Sequence, residues 1–388
     1  MKKLTLCYVS FNYYPSQGLI AFLEYSQKIS ELGHKVIVIA AGRENEHNYE
    51  VLNGVTIFRI KIKSTKRKSL DVLKFSILAN RLLLKIIRIY KIQIIHVFSW
   101  TFSPIVKLNI FEQKIKWIYD IRSGPLEKSS KRTIFYKIIK LLIYFETLFF
   151  DHLFIIDTKV KDEILKNHNL KKINISPLGV DLNKFNIKEK NLLIREQNNI
   201  MSDDYLIIYI GSLNKVRCIN NLIDGFYLAS KKINNLKMFL IGEGNDIKNL
   251  IQYSIQLSIN KKILFLGYIP HDKIPKYLAA ADIAISYIPK IPSFNAQPPA
   301  KTIEYLASSL PVIATNTEGN KQFINNGENG LLIEDSPKAI ANALILLCSD
   351  ADLRIKISKN ARESILKYDW RKIVLNILIP SYEEVLKN

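Results

Sequence analysis

The sequence predicts an α/β fold made of two doubly wound domains. Three observations lead there. Short runs of Ile, Val, Leu and aromatic residues alternate with longer amphipathic stretches along the whole chain. Those runs are continuously apolar, as expected of strands covered on both faces of a parallel sheet. The alternation also occurs twice, in two series separated by a polar stretch. A length of 388 residues suits two or three domains, each with a sizeable core.

Taken in order, the first series places strands at 4–9 (LTLCYV), 35–40, 55–60, 93–98, 116–119, 153–156 and 173–176. The second places them at 205–210 (YLIIYI), 236–241, 262–266, 282–286, 311–315 and 330–333. The intervening segments are long enough for crossover helices. The boundaries predicted are a first domain over 1–185, a polar linker over 186–204, a second domain over 205–365 and a terminal helix over 366–388, kinked at Pro380.

Composition excludes several classes. With 48% hydrophobic residues, 14 Gly and 13 Pro, the chain is neither disordered nor fibrous. Cys7, Cys218 and Cys348 are scattered and form neither a disulfide framework nor a CxxC metal site, which favours a reducing compartment. The opening MKKLTLCYVSFNYYP lacks a small-residue cleavage site and reads as a first strand, not a leader.

The net charge is +21, and it is uneven. Residues 1–190 carry 33 basic and 16 acidic side chains, whereas residues 191–388 carry 23 and 19. Such an excess on one half implies an anionic partner: a membrane, nucleic acid or a charged substrate. No nucleic-acid-binding module is recognisable, so nucleic acid is not expected. No segment is expected to span a membrane, because Glu146, Asp151 and His152 interrupt the best stretch, Ile138–Ile156. Two basic amphipathic stretches instead fit helices lying on an anionic bilayer. In 70–91, Lys74, Arg81, Lys85 and Arg88 share one helical face with Leu and Ile opposite. In 131–150, basic residues precede a strongly apolar helix. A packing helix with a solvated lysine face explains the same patterns.

Doubly wound domains bind ligands at the carboxyl ends of their strands, so the loops after strands hold the candidates. After the first strand, Gly18 stands where the loop enters a helix and could admit a phosphate or sugar to backbone N–H groups. After 205–210 come Gly211 and Ser212, then Lys215 and Arg217, then an apolar helix, an arrangement suited to a diphosphate. Arg217 is favoured over Lys215, being nearer the helix start and able to grip phosphate bidentately. After 282–286 a Pro-rich loop leads to Lys301 and Glu304, one helical turn apart. Glu304, expected in the first turn, could accept two ribose hydroxyls; an ordinary i,i+3 ion pair with Lys301 is the competing explanation. Gly242-Glu243-Gly244 is a lone GxG without dinucleotide spacing, with Glu243 counted among possible donor contacts. His96 and Asp120 stand at strand ends, and the turn Asp120-Ile121-Arg122-Ser123 is expected to face a cleft on the acceptor side, with Asp120 in a catalytic part. The six histidines show no ligand spacing, and no metal is expected.

Together these residues resemble the retaining glycosyltransferase family 4 (glycosyl transferases group 1), of the GT-B fold. The motifs are KISELGHKVIVI, SPLGVDLNKF at the interdomain crossing, YIGSLNKVRCINNLIDGF, FLIGEGN, ILFLGYIPHDKIPKYLAAADIAI, KTIEYLASSLPVIATNTEGNKQFINNGENGLLIE and DLRIKISKNARESILKYDW. The run 264–333 is the most specific part. The resemblance implies two Rossmann-like domains facing a cleft, with the C-terminal helix crossing back to the first. It implies a nucleotide-diphosphate-sugar donor held mainly by the second domain and a glycan or lipid-linked acceptor held by the first. Glu304 then resembles the second glutamate of the E-x7-E motif, Arg217 the diphosphate cation and Gly18 the loop glycine near the donor phosphate. Two departures stand out. Ala296 occupies the position of the first glutamate, and Ser212 stands where many members have Arg. The loop QPPAKTIEY instead resembles an "SSPxKxxEY" version in which Lys301 supports the phosphates.

The function expected is transfer with retention from a nucleotide sugar to a lipid-linked or polysaccharide acceptor in cell-surface glycan synthesis. No metal cofactor is expected, and the place expected is the cytoplasm, peripherally on the inner face of an anionic plasma membrane. A degenerate, non-catalytic binding protein and a UDP-sugar 2-epimerase-like enzyme remain as alternatives.

Overall fold

The computed structural model describes residues 3–15, 19–63, 68–100, 102–110, 114–122, 133–165, 173–187 and 189–387. The chain forms two compact units: residues 1–178 with 370–388, and residues 179–369.

The first unit holds β1 (Thr5–Tyr13), α1 (Ile20–Glu31), β2 (Lys35–Gly42), β3 (Tyr49–Leu52), β4 (Val55–Lys61), α2 (Lys68–Tyr90), β5 (Ile94–Phe98), β6 (Lys116–Ile121), α3 (Thr133–Thr147), β7 (His152–Ile155), α4 (Thr158–Leu165) and β8 (Ile173–Ile175). Its eight-stranded sheet runs β3-β4-β2-β1-β5-β6-β7-β8. All pairings are parallel except β3 with β4. Strand β3 went unrecognised in the sequence. Its hairpin closes through Asn53 (φ 50°) and Gly54 (φ 76°), the two positive φ values of a type I′ turn. The chain's last helical segment, from Trp370, belongs to this unit. A kink is expected at Pro380; a π-helical turn spans Val374–Leu378, and the α-helix resumes through the proline over Ile379–Lys387.

The second unit continues with α5 (Leu192–Gln197), β9 (Tyr205–Ile210), α6 (Ile219–Ser230), β10 (Leu236–Ile241), α7 (Ile247–Gln256), β11 (Ile263–Gly267), α8 (Ile274–Leu278), β12 (Ile283–Ser286), α9 (Pro292–Asn295), α10 (Ala300–Ala307), β13 (Val312–Thr315), β14 (Leu331–Ile333), α11 (Pro337–Ser349) and α12 (Ala351–Ser364). Its parallel sheet runs β11-β10-β9-β12-β13-β14. Counted from β9, that is the doubly wound order with a switch point between β9 and β12. The core lies between the sheet and its helices, around Ile207, Met238, Leu240, Ile285, Ile313, Phe226 and Leu344, all buried.

The stretch 186–204, read from sequence as a linker, is built into the second unit. Buried Arg195 on α5 donates to the carbonyls of Met201, Asp204 and Ala280 and pairs with Asp282 at 3.0 Å. Polar composition there reflects a short anchored helix, not a free tether.

Candidate functional site

At the switch point of the second unit, the end of β9 and the start of α10 bring two cations together. The Lys301 ammonium donates to the Tyr287 carbonyl at 2.8 Å and lies 4.0 Å from the centre of the Tyr209 ring. Arg217 follows β9 in a short 3₁₀ turn, Lys215–Arg217, and its guanidinium stacks 4.0 Å over Phe294 from α9. Burial first, and then the charge of Arg217, hold the Lys301 pKa well below an ordinary lysine's. Among the described residues, neither cation makes an ion pair. Two positive groups gathered without a carboxylate, one of them partly desolvated, form a pocket of potential for an anion. Gly211, at φ 156°, lies against the Tyr209 ring: a Cβ there would stand 3.0 Å from the Tyr209 hydroxyl.

The floor under the site is tightly specified. Ser286, Thr302 and Asn320 are buried and joined by hydrogen bonds of 2.6 and 2.7 Å, and Asn320 donates to the Thr315 carbonyl at 2.8 Å. This network fixes β12, α10 and β13 relative to one another. The Tyr305 hydroxyl accepts from the Ile210 N–H at 2.8 Å, tying α10 to the end of β9. Gly242, at φ 140°, serves packing: a Cβ there would fall 2.0 Å from the Gly211 carbonyl oxygen. Glu243 is exposed, and its carbonyl accepts from the Leu213 N–H at 2.9 Å. Lys215 is exposed while Arg217 is half-buried, and the Ser212 hydroxyl accepts from the Asn214 side chain at 2.7 Å.

Glu304 departs from expectation in an informative way. Helix α10 starts at Ala300 and has no acidic residue in its first turn, so Glu304 opens the second turn. The explanation by an ion pair with Lys301 also fails, because Lys301 turns to Tyr287. Glu304 is 8% exposed, and its Oε1 lies 2.7 Å from His271 Nε2. His271, Tyr209 and Phe294 were not picked out from the sequence. Only the order LIIYIGS could have pointed to Tyr209, two residues before Gly211.

The first unit's candidates are arranged differently from what strand-end positions suggest. His96 and Asp120 are completely buried. His96 Nε2 lies 3.1 Å from Asp120 Oδ2, and its Nδ1 lies 2.8 Å from the Tyr382 hydroxyl, which meets the Tyr8 hydroxyl at 2.9 Å. Arg122 pairs with Asp120 at 3.0 Å, donates to the Ser176 carbonyl at 2.7 Å and stacks on Tyr25. Burial raises the Asp120 pKa, and the bond and charge of His96 oppose the rise. The expectation that Asp120, His96 and Arg122 face an open cleft is therefore corrected. They form a buried network that locks the C-terminal helix to β1, β5 and β6. Gly18 and Ser123 lie outside the described residues, as do residues 131–132 of the second basic stretch.

Helix α2 presents Lys74, Arg81, Lys85 and Arg88 to solvent. The Leu and Ile side chains opposite them are not free: Leu83, Ile86 and Ile87, with Phe75 and Ala79, are core. The exposed apolar residues Ile77, Leu78, Leu84 and Ile89 flank the basic stripe instead. On α3, Ile138, Leu141, Leu142 and Phe145 are exposed. No helix among the described residues is long and apolar enough to cross a membrane, and no group of three or more His, Cys, Asp or Glu among them could hold a metal ion.

Comparison with known proteins agrees with this architecture. Residues 191–364 match the family model for glycosyl transferases group 1, and residues 21–184 match that for glycosyltransferase family 4. The chain is 24% identical over 355 residues to an uncharacterized glycosyltransferase (MJ1607) of Methanocaldococcus jannaschii, covering 88% of this chain and 87% of that one. It is 31% identical over 210 residues to the UDP-Gal:alpha-D-GlcNAc-diphosphoundecaprenol alpha-1,3-galactosyltransferase of Escherichia coli, a match that spans 50% of each chain. Among solved structures, Anabaena HepE in complex with UDP superimposes with a TM-score of 0.77 at 14% identity, over 98% of this chain and 100% of that one. That likeness is one of fold, the GT-B fold. The chain belongs to the family 4 glycosyltransferases, group 1.

Proposed function

We propose that this glycosyltransferase moves a sugar from a nucleoside-diphosphate sugar to a lipid-linked or growing polysaccharide acceptor, with retention of the anomeric configuration. The observation that carries the reading is the convergence of Arg217 and Lys301, without an acidic partner, at the switch point of the second unit. A departing nucleoside diphosphate needs that potential. Donors and cations already in place cost no reorganisation as the charge develops. In the proposed reaction the bond from the anomeric carbon to the diphosphate oxygen breaks, and a bond to the acceptor hydroxyl oxygen forms on the same face. The acceptor proton passes to the leaving phosphate oxygen, so no strong protein base is needed, and the two cations take the charge without a metal. Glu304 accepts the ribose hydroxyls.

The acceptor class is supported by the curated relative whose name carries a diphosphoundecaprenol substrate and by a capsular polysaccharide glycosyltransferase of Staphylococcus aureus, 28% identical over 215 residues. An anionic membrane surface fits α2, where a basic stripe is flanked by exposed Ile77, Leu78, Leu84 and Ile89. Nuclear magnetic resonance of the product formed from an α-linked donor tests the stereochemistry. An α-linked product is expected, and a β-linked product overturns the mechanism.

A further inference from the structure

We infer that His271 and Lys184 are positioning residues for Glu304, together fixing one oxygen of its carboxylate so that the other is presented to the nucleotide ribose. The inference rests on the reading of Glu304 as the ribose acceptor.

Lys184 Nζ lies 2.8 Å from His271 Nδ1, and His271 Nε2 lies 2.7 Å from Glu304 Oε1. An ammonium has three donors and no acceptor, so Nδ1 must supply a lone pair. The ring proton then resides on Nε2 and is donated to Glu304. The direction of the relay follows from chemistry alone. Glu304 is thereby held by a ring donor instead of being paired directly with a cation, and it keeps its charge for a ligand. Among the described residues Oε2 has no hydrogen-bond partner.

The relay is built to be stiff. His271 lies in the loop between β11 and α8, with the Phe185 ring edge-on at 5.6 Å. The segment carrying Lys184 and Phe185 is pinned twice. Asp181 Oδ1 accepts from the N–H groups of Asn183 and Lys184, both at 3.0 Å. Arg362 donates to the carbonyls of Leu182 at 2.7 Å and Phe185 at 3.1 Å. Five side chains, Lys184, His271, Phe185, Asp181 and Arg362, thus bear on one carboxylate orientation. Oε2 is then the oxygen of this carboxylate left open to a ligand. A carboxylate fixed in advance binds a diol with less loss of side-chain freedom.

The test uses full-length protein and three probes, UDP, GDP and ADP, each with its 2′-deoxy counterpart, measured by isothermal titration. For the best-binding probe the wild type should prefer ribose over deoxyribose by roughly tenfold or more, as a bond to a charged acceptor implies. His271→Ala should bring that ratio close to one while leaving deoxy-nucleotide affinity nearly unchanged. His271→Gln, whose amide nitrogen reaches the Nε2 position, should restore it. Lys184→Met should lower the ratio by freeing the tautomer, and it carries the test if His271→Ala does not fold. The inference is overturned if Glu304→Gln abolishes the preference and the His271 and Lys184 variants keep it, or if those variants weaken both nucleotides equally. If Glu304→Gln itself keeps the wild-type preference, the ribose role of Glu304 is wrong, whatever His271 does. If none of the three probes binds the wild type, both readings fall.

Discussion

The Lys301 ammonium bonds the Tyr287 carbonyl at 2.8 Å and does not engage Glu304, its neighbour one helical turn on. This separation decides the character of the site. A Lys–Glu pair would have cancelled its own charge. Instead a cation faces the end of β9 beside Arg217, and an anion stands apart on His271.

Arg217→Ala should reduce turnover far more than Lys215→Ala. Arg217 is half-buried against Phe294 beside Lys301, whereas Lys215 is exposed. Loss of a preorganised donor to developing charge typically costs ~100-fold or more in rate, and loss of a solvated lysine should cost little. Steady-state kinetics of the two variants decide it, and equal losses would mean that the phosphate contact is misassigned.

Within the pH interval over which the Lys301 pKa is depressed, nucleotide binding should take up a proton. Burial, then Arg217, hold Lys301 well below 10.5. Over the interval beneath that value the unfolded chain binds more protons than the folded one, so the stability of the free protein rises with pH there. A bound diphosphate draws the proton back, so affinity falls as pH rises through the same interval. Titration calorimetry in two buffers of different ionisation enthalpy reads the proton directly. No uptake, or release, would show that Lys301 does not meet the phosphates.

Activity should survive EDTA, because Arg217 and Lys301 supply the positive charge that a metal would otherwise bring to the diphosphate. Loss of activity on chelation, restored by Mn²⁺ or Mg²⁺, would contradict this part of the mechanism.

The protein should sediment with anionic liposomes at low salt and be released as salt rises. Each Lys or Arg near such a surface contributes about 1 kcal/mol, and the Debye length shrinks to ~3 Å at 1 M. Ile89, at 72% exposure, and its apolar neighbours on α2 would add to the attachment. A variant with Lys74, Arg81, Lys85 and Arg88 changed to Gln should stay in solution. Wild-type protein that ignores anionic liposomes at low salt would make the stripe a solvated face and favour a soluble acceptor.

Most of the sheet architecture was legible because buried parallel strands are written as continuous apolar runs. Strand β3 was not, because YEVL is a partly exposed edge whose signal lies in the Asn53-Gly54 turn after it. The proximity of Arg217 to Lys301 was legible because the doubly wound fold fixes where the loops after β9 and β12 must meet. His96 and Asp120 misled because His96 lies mid-strand in β5, not at its end, and the sequence does not reveal what covers either side chain. The hydroxyl that meets His96, from Tyr382, comes from 286 positions further along the chain. The partnership of His271 with Glu304 was likewise invisible, since it spans 33 positions and no local spacing encodes it.

The most direct test of the central claim, a diphosphate site made by Arg217 and Lys301 in the second unit, is isothermal titration of the wild type and Arg217→Ala with UDP, GDP and ADP. The account predicts that one of the three binds the wild type, that the matching nucleoside monophosphate binds much more weakly, and that Arg217→Ala narrows the gap between them. Failure of all three to bind, or a gap unchanged by the substitution, would contradict it.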